Sequence, residues 1–255
     1  MNRNIQHFLD LVLVLTQKEV KVRYKNSVLG YLWSIGHPLA YTAVFWIAFK
    51  IVMRINMENY LLFLITGLFP WQWFANSVNV SPIAYISNAQ IIKKVSFPRN
   101  IIPLTIVLQD MIHFVFTLPV IGLVMHIYGK HPSAAWIAGI PLMLFLQLIF
   151  TYGISLVVST VNLFFRDLER LTGILVTFIF YFTPIVYSYD MIPEQYRGYA
   201  NLNPLTPFMV GWRSLFLDSA IDFHSLSLCA IYAVISLVLG HLVYRSLSWR
   251  FGEVI

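Results

Sequence analysis

Charge is distributed along this chain in a way that leaves long stretches with none. Charge-free intervals cover residues 26–49, 59–92, 131–165, 171–189 and 223–244, while residues 100–129 hold a single charge, Asp110. A bilayer core of about 30 Å needs about 20 residues of helix. One membrane-spanning helix is therefore expected in each stretch, six in all, within a single all-α polytopic domain over residues 1–255. The second and fourth intervals have room for longer helices or lead-in segments, but not for two full spans and a loop.

Composition closes the other routes. Only 11% of residues are charged, 58% are hydrophobic and the mean hydropathy is +0.72. Soluble domains carry about 25% charged residues, so this chain cannot coat a globular surface. That excludes a soluble enzyme, a disordered chain and a nucleic-acid module, despite a pI near 9.4, and no nucleic-acid partner is expected. A single cysteine, Cys229, excludes a disulfide framework and any zinc site of several thiolates. The start does not read as a secretory signal. Asp10 interrupts the apolar run 8–15, and Gln17-Lys18-Glu19 stands where a small-residue cleavage site belongs.

The formal charge of +6 then reads as orientation. Six spans put both termini on one side with the second and fourth loops. Twelve Lys and Arg fall there (Arg3, Lys18, Lys21, Arg23, Lys25, Lys93, Lys94, Arg99, Arg166, Arg170, Arg245 and Arg250) against five opposite (Lys50, Arg54, Lys130, Arg197 and Arg213). Cytoplasmic loops carry the excess of Lys and Arg, so both termini are expected in the cytoplasm.

Three segments outside the spans have patterns of their own. Over residues 1–25, at about 100° per residue, Arg3, Gln6, His7, Asp10, Gln17, Lys18, Lys21 and Lys25 share one face with Val14 intruding, and Phe8, Val12, Leu15 and Val22 lie opposite. This is a basic amphipathic helix, lying in the membrane interface or capping the protein's own surface. Ser81-Pro82 is expected to end the second span, with Ser87 capping a short helix over 87–95 that carries Lys93 and Lys94 in its last turn and stops at Pro98. In the segment 190–222, Pro193 and Pro207 suit first helical turns. Residues 208–217 are apolar but about half a span long: a half-helix re-entering the membrane, or a helix flat on the outer surface.

Enzyme signatures are missing. The sequence contains no H-E-x-x-H, G-x-S-x-G, C-x-x-C or G-x-x-x-x-G-K-[ST], so no residue is assigned a catalytic or metal-binding role, and ATP hydrolysis must be supplied elsewhere. Asp110 and His113 alone pair at helical spacing. An ionisable residue within a span is a functional candidate by default, and the plainer alternative is packing glue bonded within the pair or to a neighbouring helix.

Several ordered pieces resemble one family. Arg23-Tyr24-Lys25-Asn26-Ser27-Val28-Leu29-Gly30-Tyr31-Leu32-Trp33-Ser34 follows the amphipathic helix. Gly67-Leu68-Phe69-Pro70-Trp71 and Asn88-Ala89-Gln90-Ile91-Ile92-Lys93-Lys94-Val95-Ser96-Phe97-Pro98-Arg99 come next. Phe165-Arg166-Asp167, Leu202-Asn203-Pro204-Leu205-Thr206 and Trp249-Arg250-Phe251 complete the set. In that order they resemble the permease subunits of polysaccharide-exporting ABC transporters, which handle O-antigen, teichoic-acid or capsular polymers. The resemblance implies a bacterial inner-membrane location and a homodimer of permeases with two ATP-binding-cassette subunits. It also implies a polymer carried on a polyprenyl diphosphate lipid, with ATP and Mg on the partner and no cofactor on this chain.

Residue roles follow from combining that resemblance with the pattern. Ser87, Asn88, Gln90, Ile91, Lys93 and Lys94 are expected to form the coupling helix that docks into the ATPase, with the amphipathic helix as a second contact. Glu19 and Arg23 sit i,i+4 in the favourable order and are expected to pair. Arg23, Lys25 and nearby backbone would then face the substrate's diphosphate, since Arg offers phosphate a planar fork of donors; alternatively the helix ends near Glu19 and both charges are solvated. On the first span Tyr31, Tyr41, Thr42, Phe45, Trp46 and Phe49 fall within about 140°, and Phe178, Tyr181 and Phe182 make a second patch on the fifth. Sugar rings present C–H faces to aromatic rings and hydroxyls to Tyr and Thr, so these residues are candidates for a channel lining between two copies. Aromatics also fill helix interfaces and gather at membrane boundaries.

Two other classes compete. Asp110 and His113 would serve a proton-coupled secondary transporter, although no inverted repeat accompanies them. An intramembrane glycosyl- or acyltransferase needs a carboxylate or His cluster at a membrane face, and the acids Asp167 and Glu169 are flanked by Arg166 and Arg170, which reads as a salt-bridged loop.

Overall fold

The computed structural model describes residues 3–23 and 29–254, and every regular element among them is helical. In chain order these are α1 (Arg3–Arg23), α2 (Trp33–Trp46), α3 (Tyr60–Val80), α4 (Ala84–Ser87), α5 (Ala89–Lys94), α6 (Ile101–Ile127), α7 (Ala135–Asn162), α8 (Leu168–Phe182), α9 (Glu194–Leu202), α10 (Leu205–Arg213), α11 (Phe223–Leu247) and α12 (Phe251–Val254). Wider π-helical turns extend α2 through Val52 and α10 through Asp218.

Five helical stretches are long and apolar enough to cross a membrane: Trp33–Val52, Tyr60–Ser87, Ile101–Ile127, Ala135–Asn162 and Phe223–Arg250. The expected sixth, α8, has 15 residues, about 22 Å at 1.5 Å per residue. Its course is nevertheless long. It begins beside the turn Ser81–Ile83 that follows α3, and Phe180 packs on Trp71 midway along α3 with ring centres 5.5 Å apart. Beyond its end, the Val186 carbonyl accepts from the Tyr60 hydroxyl at 2.8 Å. Helix and extended tail together traverse the full length of α3.

The α-helix of the second span ends at Val80, just before Ser81-Pro82, as expected, but the chain does not leave the helical path there. Pro82 falls in the first turn of a 3-10 segment, where a missing N–H costs nothing. The Ser81 hydroxyl donates to Ser77 O at 2.6 Å and Asn162 donates to Pro82 O at 2.8 Å. The helical path continues to Ser87.

The core centres on α3, which is buried along nearly its whole length, whereas α2 is buried hardly at all. Its own Trp71, Trp73 and Phe74 meet Phe114, Phe150, Phe208 and Trp212 from the helices around it. The outer faces of α2, α8 and α11 expose Val44, Ile47, Ile174, Leu175, Val234 and Val238, the apolar surface a lipid-facing protein retains. α7 and α11 pack more extensively than any other pair. Their backbones meet at Gly153 and Gly240, where a Cβ on Gly240 would lie 2.6 Å from Gly153 O. Such close approach needs glycine.

The two ends of the bundle differ. At one end α1, α4, α5, the α7–α8 turn and α12 come together: Phe251 rests on Tyr85 with ring centres 4.9 Å apart and on Phe164, and Lys18 reaches Asn88. The other end holds the α2–α3 loop, residues 129–134, and the segment 188–222.

Candidate functional site

The basic end carries the segment expected to couple. The helix there is α5, six residues ending at Lys94, with Val95 already extended. Ser87 is not its cap. The Ser87 hydroxyl donates backward to Ile83 O at 2.8 Å, a local bond that competes with capping, and Asn88 occupies the N-cap position. Asn88 is buried. Its Nδ2 donates to Ala84 O at 3.0 Å and its Oδ1 accepts from Lys18 Nζ at 2.7 Å. Ile91 is half-buried over buried Ile92, while Ser87, Gln90, Lys93 and Lys94 face outward beside exposed Ile86 and Val95. The result is a small, basic, partly apolar surface held from behind by α1.

α1 is amphipathic as expected, and packs along α6 with Leu15 and Thr16 buried. Leu9, Leu13, Val14 and Val22 stay exposed, so the helix both caps the protein and offers an apolar strip outward. The expected Glu19–Arg23 pair gives way to two other contacts. Lys18 Nζ lies 2.9 Å from Glu19 Oε1, and Arg23 Nη1 lies 2.5 Å from Asp110 Oδ1 on α6. A buried carboxylate attracts an arginine more strongly than a solvated neighbour does, because little water screens it. Lys25 lies outside the described residues.

Asp110 and His113 each bond to another helix. Asp110 Oδ2 accepts from Ser77 at 3.0 Å, and His113 Nδ1 is 3.0 Å from Ser34 Oγ. With Arg23 they border a cavity of about 280 Å³ between α2, α3 and α6, which Gln72, Asn76, His37 and Trp33 also line.

The aromatic residues meet across two helices. Tyr41 packs edge-on to Phe45 at 5.0 Å, Phe45 stacks with Phe49 at 6.0 Å, and Phe45 sits 5.2 Å from Phe180 of α8. Phe45, Trp46 and Phe49 are partly buried against the core. Tyr41, Phe178, Tyr181 and Phe182 remain exposed. Thr42 departs from the expectation: it is 1% exposed and its hydroxyl donates to Pro38 O at 2.9 Å, because it falls on the side of α2 turned into the protein. The Tyr31 side chain lies outside the described residues.

The segment before the last span is built into the bundle rather than laid on it. α10 begins near the middle of α7, with Phe208 against Phe150 at 4.9 Å, and then runs outward. Trp212 Nε1 donates to Gln147 Oε1 at 2.6 Å, Trp136 Nε1 to Leu215 O at 3.1 Å, and Lys130 Nζ to Leu217 O at 2.7 Å. Arg213, counted by sequence among the outer-face charges, is buried within this packing. Its guanidinium donates to the carbonyls of Pro184 and Ile185. A lone charge in the apolar run 208–217 was the available signal for an interior role.

A profile of the ABC-2 type transporter family matches residues 10–217. The chain belongs to that family. Among curated ABC-2 relatives, it is 46% identical over 255 residues to an O-antigen export system permease protein, RfbA, of Klebsiella pneumoniae, covering 100% of this chain and 98% of that one. It is 30% identical to an RfbA of Myxococcus xanthus, covering 99% and 98%, and 26% identical to the polysialic acid transport protein KpsM of Escherichia coli, covering 90% of each. As an ABC-2 permease it is a multi-pass membrane protein and a transporter subunit. Neither a proton-coupled carrier built on Asp110 and His113 nor a transferase is favoured by these likenesses.

Proposed function

We propose that this chain is the membrane-spanning subunit of an exporter that moves a lipid-linked polysaccharide, of O-antigen or capsular kind, out of the bacterial cytoplasm. Hydrolysis of ATP with Mg takes place on two separate cassette subunits, and the permease works as a homodimer in the inner membrane. Six crossings, counting residues 168–186 as one, bring both termini to the cytoplasmic side. The observation that carries this reading is the basic end of the bundle, where exposed Gln90, Lys93 and Lys94 project from a segment braced by α1. Such a surface suits a protein partner that supplies the ATPase this sequence lacks. Charge reversal at Lys93 and Lys94 is expected to reduce co-purification of the ATPase or transport-linked turnover, and unchanged assembly and turnover would refute the docking role.

The polymer path in this reading lies at the two-fold axis between copies, along Tyr41, Phe45, Trp46 and Phe49 of α2 and Phe178, Tyr181 and Phe182 of α8, with Tyr31 at its cytoplasmic end. Exposure of Tyr41 and of the α8 aromatics supports it, and the burial of Thr42 removes that residue from the lining. Arg23 and Lys25 receive the diphosphate headgroup. Arg23 keeps a side chain 40% exposed while paired with Asp110, so part of its donor fork stays open to an anion approaching from the lipid side.

A further inference from the structure

Two arginines of this bundle are held in different ways. Arg213 is buried, with two backbone carbonyls and the face of the Phe63 ring as its partners. Its surroundings close over it, which suits a fixed structural role. Arg23 has a carboxylate instead: Asp110 Oδ1 lies 2.5 Å from Nη1, and the Arg23 side chain stays 40% exposed while that of Asp110 is 4% exposed. The acid is shut inside the bundle and the base stands at its edge.

Asp110 is also the fixed member of the pair. Its second oxygen accepts from buried Ser77 of α3 at 3.0 Å, and its own position lies well inside α6. Arg23 is the last residue of α1. Its long side chain meets Asp110 through one nitrogen of a planar group that carries several donors. An anion can therefore reach the guanidinium from its exposed side while the carboxylate stays where it is.

A carboxylate in that position changes what Arg23 offers a phosphate. It takes up a donor that the phosphate would use, and it offsets the guanidinium's field where little water screens the two. Both effects weaken anion binding. A transport site must bind firmly enough to load and weakly enough to unload. Release is eased as well, because the departing phosphate does not leave the guanidinium bare at the edge of the bundle. A counter-ion is already in place for it.

We infer that Asp110 is the resident counter-ion of Arg23: it limits how tightly the guanidinium holds a phosphate-bearing headgroup and takes the guanidinium back when the headgroup leaves. The inference rests on the reading of Arg23 as a contact for the substrate's diphosphate. To that contact it adds a residue that acts through Arg23 and favours release.

The test uses the full-length chain in nanodiscs of zwitterionic phosphatidylcholine, so that no anionic lipid competes. The probe is a short prenyl diphosphate closed by a methyl ester, and the control is the same prenyl chain with a neutral glycol headgroup. Equilibrium binding and dissociation rates are compared for the wild-type chain, Asp110→Asn, Arg23→Gln and the double variant. Asp110→Asn is expected to bind the diphosphate about ten-fold more tightly, between the effects of exposed and of buried ion pairs. Most of the gain should come from slower dissociation, with the glycol control unchanged. The double variant should lose the gain, because it is exerted through Arg23. If Asp110→Asn does not yield folded protein, Asp110→Ser, also neutral and smaller, must shift the affinity in the same direction.

Binding by Asp110→Asn at wild-type strength or weaker would overturn the inference. Faster hydrogen exchange in α1 alongside that result would show the pair to be only a clasp between α1 and α6. A gain that persists without Arg23 would overturn it too. In either case weakened binding by Arg23→Gln would leave the headgroup reading standing, whereas wild-type binding by Arg23→Gln would remove that reading and the inference with it.

Discussion

The guanidinium of Arg213 lies 3.7 Å from the centre of the Phe63 ring. That one contact fastens α10 to the central helix α3, and the same guanidinium donates to the carbonyls of Pro184 and Ile185 in the extended tail of α8. Three separate parts of the chain converge on one buried cation. The ring face supplies negative electrostatic potential, and the two carbonyls supply the acceptors that a desolvated arginine requires. Gly67 makes the room, since a Cβ there would stand 2.5 Å from Arg213 Nη2.

Arg213→Met is therefore expected to destabilise the protein by about 3 kcal/mol, because it strips two buried carbonyls of their donors at about 1–3 kcal/mol each. The check is thermal unfolding in detergent, where the midpoint should fall. Arg213→Lys should recover only part of the loss, as a single ammonium cannot serve both carbonyls and the ring in the way a planar fork does.

Gly67→Ala should cost about 1–3 kcal/mol, the usual consequence of forcing an atom into a packed site. The neighbour here is the end of a long side chain, but one pinned by its carbonyl acceptors. Combined with Arg213→Met the two losses should sum to less than their separate values, and full additivity would show that the glycine serves something else.

Gln147 joins α3, α7 and α10. Its Nε2 donates to Pro70 O at 2.8 Å and its Oε1 accepts from Trp212 Nε1 at 2.6 Å. Gln147→Leu keeps the volume but leaves the buried Trp212 indole N–H without a partner and takes a second donor from the Pro70 carbonyl, which keeps its place in the α3 helical ladder. A loss of about 1–3 kcal/mol is expected, seen as a lower unfolding midpoint and as faster proteolysis in the segment 188–202 once α10 loosens.

Most of the helical framework was legible because charge is excluded from hydrocarbon, so gaps between charges mark helices almost directly. What sequence could not supply was partnership across the chain. Arg23 pairs with a residue 87 positions away, and local spacing instead pointed to Glu19. Ser87 carried the composition of a cap, yet a backward bond to Ile83 took its hydroxyl. Pro82 read as a stop because proline breaks helices in their interior, whereas in the first turn of a 3-10 segment it has little to break. Thr42 shares its angular sector with aromatic neighbours, and only the packing of α2 reveals that this edge of the sector is turned inward. The cavity was invisible for the same reason: Gln72 and Asn76 lie in a run that looks like span, and their neighbours Asp110 and Trp33 come from other helices.

The bond between Lys18 and Asn88 gives a final expectation about how the basic end is held. Lys18 Nζ donates to Asn88 Oδ1 at 2.7 Å, while Asn88 Nδ2 donates to Ala84 O at 3.0 Å. One side chain thus ties α1 to α5 and closes the α4–α5 corner. Asn88→Asp keeps the acceptor for Lys18 and loses the donor to Ala84; Lys18→Met does the reverse. If the two bonds act separately, hydrogen exchange of α1 amides should quicken in Lys18→Met and stay slow in Asn88→Asp, whose carboxylate still receives the ammonium. Exchange at Ile91 and Ile92, whose N–H groups donate to Asn88 O at 3.0 and 3.1 Å, should quicken chiefly in Asn88→Asp. Lys18 is partly solvated, so its bond should be worth about 1 kcal/mol, in the range of exposed charged contacts, which corresponds to roughly five-fold faster exchange. Equal acceleration of both regions in both variants would mean that α1 and α5 open as one unit and that the corner has no independent stability.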